Sequence, residues 1–174
     1  EKDTFLVATD WGEDSLTDSG DPRIVKQWKR GDPSEKAEIV LEGIRKHIGV
    51  WPGVMKDGET SIALITRSLS FYTAEYHLLV DGGKLLQIPI QPSAQIKAYY
   101  DGRILFSLRK PWEVVGVKYA EGTVLAISAD KLMQTGKLPR IETVFTPNRK
   151  TSVEQVAVSQ RGLFLSLLED VKGR

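Results

Sequence analysis

The sequence has no cysteine, only two histidines and almost no net charge. The missing cysteines exclude disulfides, thiolate metal sites and a cysteine nucleophile. His47 and His77 fall in separate segments without paired carboxylates beside them, so no metal site is expected. Lys and Arg number 24 against 23 Asp and Glu, a net charge of +1. Basic pairs such as Arg45-Lys46 and Arg149-Lys150 are scattered, so no nucleic-acid partner is expected. No apolar run approaches the roughly 18 residues of a membrane span, and no membrane association is expected. The strand–turn–helix serine elbow Gly-x-Ser-x-Gly is missing, as are phosphate-cradling glycine loops. No catalytic residue, cofactor or metal ligand is therefore assigned. The chain opens Glu1-Lys2-Asp3, without Met and an apolar stretch, which suggests a segment trimmed from a longer protein. A cytoplasmic location is expected; the lack of cysteine suits the periplasm equally.

What is present has an ordinary composition, 41% hydrophobic and 27% charged over 174 residues. One domain is the default at that length. The apolar residues come in short runs closed by turn residues: Thr4 to Thr9, Arg23 to Arg30, Ala37 to Leu41, Ser61 to Thr66, Tyr76 to Val80 and Lys84 to Ile90. Gln95 to Tyr100, Arg103 to Leu108, Thr123 to Ser128, Ile141 to Phe145, Val153 to Val158 and Leu163 to Leu168 follow. Their length, β-branched content and Gly/Pro/Asp punctuation predict strands, and the fold class read from them is all-β. Asp81-Gly82-Gly83, Asp101-Gly102 and Arg161-Gly162 are hairpin signals. One short helical turn is expected over Ala129 to Gly136, with Asp130 as N-cap and Gly136 as stop.

A coarse repeat runs through the pattern. Leu41, Ile88 and Phe145 end comparable runs, 47 and then 57 residues apart. About 40 to 50 residues per four-stranded unit is the spacing of propeller blades. The frame is an incomplete blade over 1–43, blades over 44–92 and 93–148, and an incomplete blade over 149–174. It holds three, four, four and two strands. Spacing alone leaves a β-sandwich or barrel equally open.

One stretch stands out chemically. Glu13, Asp14, Asp18 and Asp21 crowd four carboxylates between Trp11 and Arg23. Calcium-loop spacing is not met. A single loop does not hold two carboxyls at the separation glycoside chemistry needs. A solvated polar loop, ordered by local turns at Thr17 or Ser19, is the plain reading. Trp11 and Trp112 sit beside loop signals, where tryptophans line binding surfaces or cap a β-core.

Longer segments carry a resemblance. Thr9-Asp10-Trp11-Gly12, then Ser15 through Lys26, then Trp28-Lys29-Arg30-Gly31 resemble the propeller domain of bacterial serine peptidases of the prolyl oligopeptidase family. Val144-Phe145-Thr146-Pro147-Asn148 and the ending Leu167 to Arg174 extend the likeness. It implies antiparallel four-stranded blades cut from a seven-bladed β-propeller. In that family the propeller caps an α/β-hydrolase domain with a Ser/Asp/His triad and restricts access to short peptides. No triad motif occurs here, so no catalytic residue carries over.

The resemblance implies a peptidase catalytic domain as partner, short peptides as ligands, and a cleft-facing gating loop over Asp10 to Pro22. Trp11, Glu13, Asp14, Asp18, Asp21 and Arg23 are its candidate residues. Open blade faces and unpaired edges at Thr4–Thr9 and Leu163–Leu168 imply self-association. Two rivals remain: a carbohydrate- or protein-binding module using Trp11 and Trp112, and a glycosidase-like propeller using the carboxylates from Glu13 to Asp21.

Overall fold

In a computed structural model, residues 3–80, 83–159, 161–170 and 172–173 are described. The chain divides into two compact units, Glu1–Val54 with Ala63–Ile88, and Met55–Ile62 with Pro89–Arg174.

The first unit begins with β1 (Thr4–Ala8) and β2 (Ile24–Lys29), paired antiparallel from Thr4↔Lys29 to Ala8↔Val25. β3 (Glu38–Glu42) adds to the other side of β2, with a register shift between Val25 and Lys26. A second sheet runs in sequence order: β4 (Gly49–Asp57), β5 (Thr60–Ser70), β6 (Thr73–Val80) and β7 (Lys84–Gln87). Val25, Val50 and Ile65 are fully buried together, with Leu6, Ala8, Val40, Leu41 and Leu85 packed on them. Each such aliphatic side chain contributes about 1.5–3 kcal/mol through burial.

The four-stranded frame over 44–92 names only three runs, Ser61 to Thr66, Tyr76 to Val80 and Lys84 to Ile90; its fourth strand is β4, where Gly49, Pro52 and Gly53 interrupt the apolar pattern. β4 is the edge of its sheet, where Pro52 can lack a donor without breaking the ladder. Gly49 is required there for another reason: a Cβ would meet the Trp51 ring at 2.5 Å. Of the three hairpin signals, Asp81-Gly82 lies outside the described residues, as does Gln160 before Arg161-Gly162. Across that last turn Ser159 pairs with Gly162.

The second unit holds β8 (Ala94–Tyr100) and β9 (Arg103–Leu108), joined at Asp101-Gly102 with φ of 48° and 69°. Both positive φ values fit the two-residue hairpin turn the sequence suggests. A small ribbon follows, β10 (Trp112–Val114) and β11 (Val117–Tyr119), turning through Val115-Gly116. β12 (Val124–Ser128) returns to pair with β9, and β13 (Glu142–Phe145) closes the order β13-β12-β9-β8.

Between them lies α1 (Ala129–Thr135). Its N-cap is Ser128, whose hydroxyl accepts from the Lys131 N–H, while Asp130 sits in the first turn. The cap expected at Asp130 is thus two residues too late, because β12 hands directly to the helix. Gly136 does stop the helix, in the left-handed region at φ 67°.

The last sheet is β14 (Thr151–Ser159), β15 (Gly162–Glu169) and β16 (Lys172–Gly173), a third strand where two were expected. Ala98, Leu105 and Ala126 form this unit's core on one side of β8-β9-β12, with Val144, Val156, Val158 and Leu163 against them. Among the described residues every pairing of defined register is antiparallel, and no sheet closes on itself.

Candidate functional site

The segment from Asp10 to Pro22 joins β1 to β2 and is built by its own short polar side chains. Asp10 Oδ1 accepts from the Gly12 N–H at 2.8 Å and lies 2.9 Å from the Ser15 hydroxyl. The backbone donor of Gly12, then Ser15, hold the Asp10 carboxyl below its ordinary value of 3.8. Ser15 Oγ also accepts from the Trp11 N–H at 2.8 Å. Gly12 and Asp14 take positive φ, 102° and 66°, which Gly and Asp tolerate. Further along, the Thr17 N–H donates to the Asp21 carbonyl at 2.8 Å, and Thr17 Oγ1 accepts from the Asp21 N–H. These are the local turns expected at Thr17 and Ser19.

Two arginines then fasten the loop to the β3–β4 connection. Arg23 is buried; its Nε donates to the Asp14 carbonyl at 2.6 Å and Nη1 to the Gly43 carbonyl at 3.0 Å. The same guanidinium pairs with Glu42 and lies 3.7 Å from Asp14 Oδ2. Arg45 Nη1 donates to Asp14 Oδ1 at 2.9 Å, and Nε to Asp18 Oδ1 at 3.2 Å. The hydrogen bond to Asp18 and the charge of Asp14 push the Arg45 guanidinium further up. The Asp18 N–H completes the clasp by donating to the Arg45 carbonyl at 2.8 Å.

The structure therefore brings Asp14, Asp18 and Arg23 together. The Asp21 carboxylate accepts only from the Ser19 hydroxyl, at 3.3 Å, among the described residues. Glu13 is exposed and makes no ion pair among the described residues. Trp11 sits beneath Lys26, whose Nζ is 4.5 Å from the ring centroid. Its Nε1 is buried and without a hydrogen-bond partner. Sequence reading missed Glu42, Arg45 and Lys26 as members of the cluster. Arg45 looked like one of several scattered basic residues, and only the fold places it on Asp14 and Asp18.

Chemically, this is a neutralised, latched loop. Asp14 and Asp18 are engaged by guanidinium groups, so they do not form a free acid–base pair. No group of His, Asp and Glu among the described residues is arranged to hold a metal ion. Trp112 packs against Phe106 and Tyr119, with ring centroids 6.1 and 6.4 Å apart. His47 Nδ1 accepts from the Ile44 N–H, and His77 is buried in its sheet.

In the first unit, two adjoining hollows of about 440 and 610 Å³ share Phe5, Leu6 and Pro52 in their linings. Both are largely apolar, and β1 beside them pairs only with β2 among the described residues.

The all-β fold, with its antiparallel sheets, is that of a propeller-like part of a prolyl oligopeptidase. It matches the structure of a post-proline cleaving enzyme from Rickettsia typhi with a TM-score of 0.89 and 22% identity, over 99% of this chain and 26% of that one. A prolyl endopeptidase structure, from a study of two such enzymes and their inter-domain dynamics, matches with a TM-score of 0.61 and 12% identity, over 98% of this chain and 23% of that one. Among curated proteins, the chain is 24% identical to the uncharacterized peptidase y4nA of Sinorhizobium fredii (strain NBRC 101917 / NGR234). It is 23% identical to the uncharacterized peptidase RP174 of Rickettsia prowazekii (strain Madrid E). Each match covers 98% of this chain and 24% of the relative, so the chain spans about a quarter of the length of these relatives. No protein-family model matches.

Proposed function

We propose that this chain is a non-catalytic propeller segment of a prolyl-oligopeptidase-like serine peptidase, gating the access of short peptides to the catalytic domain of the parent. The observation that carries this reading is the fold likeness over 99% of the chain to a quarter of a post-proline cleaving enzyme. The loop from Asp10 to Pro22 is the gating element. It is held to its unit by the Arg23 and Arg45 contacts, and it keeps Glu13 free at the surface. Lids of this kind complete a site on closing and are released by breaking a few polar contacts.

The binding-module rival gains nothing from Trp112, whose ring is engaged by Phe106 and Tyr119. The glycosidase rival gains nothing from Asp14 and Asp18, which are spent on arginines.

The test uses the full-length parent with a short proline-containing peptide. The parent should cleave it, and the 174-residue chain alone should be inert. Arg45→Gln in the parent loosens the clasp without touching a catalytic group. It should change kcat/KM by about twofold to fivefold, the range an exposed ion pair supports. Deleting Glu13 to Asp21 should change it further. Unchanged kinetics in both variants would sink the gating role, and a parent inert toward peptides would sink the peptidase reading.

A further inference from the structure

Two aromatic side chains of the first unit serve no purpose in its own packing. Phe71 and Tyr72 form the turn between β5 and β6, and they are 82% and 74% exposed. Neither ring meets another ring, and the Tyr72 hydroxyl makes no hydrogen bond among the described residues. Both residues keep φ negative, and a register shift between Ser68 and Ser70 accommodates the turn. A turn of negative φ accepts most residues, and small polar ones are the usual choice. Local structure therefore does not call for two rings here. Each ring can bury about 150–250 Å². Together they match the largest apolar patch that an ordinary monomer leaves open, and such patches mark interaction sites.

The turn itself is firmly built. The Ser70 and Thr73 hydroxyls lie 2.7 Å apart, and the Tyr72 N–H donates to Ser70 Oγ at 3.2 Å. Behind them Arg67 Nε donates to Glu75 Oε2 at 3.0 Å across the two strands. That pair cancels its own charge, and Ser68, Leu69, Ser70, Thr73 and Ala74, between it and the rings, are uncharged. Rings carried on an ordered, uncharged turn lose little freedom on docking and suit an apolar partner.

Ile48 ties this turn to the loop from Asp10 to Pro22. Its N–H donates to the Ser68 carbonyl at 2.9 Å, and its carbonyl accepts from the Thr17 hydroxyl at 3.4 Å. The aromatic turn and the gating loop therefore stand at one end of the unit. Neighbouring sheets pack on the faces of strands, whereas these rings sit on the turn that ends two of them. The matched segment is only 24% of each curated relative, so most of each relative lies outside it.

We propose that Phe71 and Tyr72 are the apolar docking point at which the catalytic domain of the parent settles over the gating loop. The proposal rests on the peptidase reading for the identity of that domain. It assigns the two rings a contact that favours the closed arrangement, beside the polar clasp made by Arg23 and Arg45.

The test replaces Phe71, and separately Tyr72, by the photo-crosslinker p-benzoylphenylalanine in the full-length parent and maps the captured residues by mass spectrometry. Both positions should capture residues of the domain that carries the Gly-x-Ser-x-Gly serine. The same probe at exposed Glu59, on the turn at the other end of β5, should not. In the parent without the probe, Phe71→Ser combined with Tyr72→Ser should lower kcat/KM for a short proline-containing peptide at least about fivefold, the loss expected of a docked aromatic pair. Phe71→Leu combined with Tyr72→Leu, which keeps the apolar character, should restore most of it.

Capture of a second copy, of another part of this chain, or of nothing overturns the proposal, as does equal capture from Glu59. A double serine variant that loses no activity also overturns it. A parent that captures the serine-bearing domain but cleaves no peptide refutes the peptidase reading and leaves the docking point standing. A parent that cleaves the peptide and captures nothing refutes the docking point alone.

Discussion

His77 shows how a single buried side chain reports on its sheet. It lies on β6 opposite Ile65 and Gln87, with Nδ1 lacking a hydrogen-bond partner. Burial first, then the charge of Arg67, hold its pKa below the ordinary 6.5, against Glu75 and a backbone hydrogen bond to Ile65. Above pH 6.5 the imidazole is neutral in both folded and unfolded chains and costs nothing. As pH falls through 6.5 the unfolded chain takes up the proton first, so stability declines until the lower folded pKa is passed. His77→Leu should flatten the decline in urea midpoint between pH 7.5 and 5.5. An unaltered decline would place its origin elsewhere. At this same scale the loop was only half legible. Glu13, Asp14, Asp18 and Asp21 are visible as a cluster because they are close in sequence. Arg45 is not, because its contact with Asp14 spans 31 residues and depends on the β3–β4 connection.

Elements were legible where burial repeats regularly. β12, buried from Val124 through Ile127, and β9, with Ile104 to Phe106 buried, are apolar runs that no helix spacing fits. The fourth strand of 44–92 has no apolar run to mark it, because Gly49 and Pro52 break the pattern of β4, and the edge position makes the proline acceptable. The β10–β11 ribbon was lost because three residues per strand leave no pattern to read. Its turn departs from ordinary chemistry. Val115 is 90% exposed at φ 51°, beside Gly116 at φ 73°. A β-branched residue there costs roughly 1–2 kcal/mol, and Asn-Gly is the preferred pair for this turn. Val115→Asn should therefore stabilise the protein by about 1 kcal/mol in equilibrium unfolding. A loss of stability would mean that Val115 makes a contact worth more than its strain.

For the whole molecule, the outer edge of β1 and the hollows beside it set the expected behaviour in solution. Phe5 is 36% exposed and Val54 60%, and β1 pairs with a strand on one side among the described residues. Such an edge invites another strand. Light scattering of the isolated chain should show association that grows with concentration; a clean monomer at high concentration would contradict this. The all-β fold and its antiparallel sheets were legible at this scale, because turn residues punctuate nearly every strand. Choosing a propeller over a sandwich needed the family resemblance, since strand spacing is common to both. The packing at the start of β4 also reaches beyond this one molecule. With the Trp51 ring lying over Gly49, a side chain at one position and a large ring at the other exclude each other. Descendants of this sequence can acquire a side chain at position 49 only once the ring at position 51 has been exchanged, so the two replacements should follow that order.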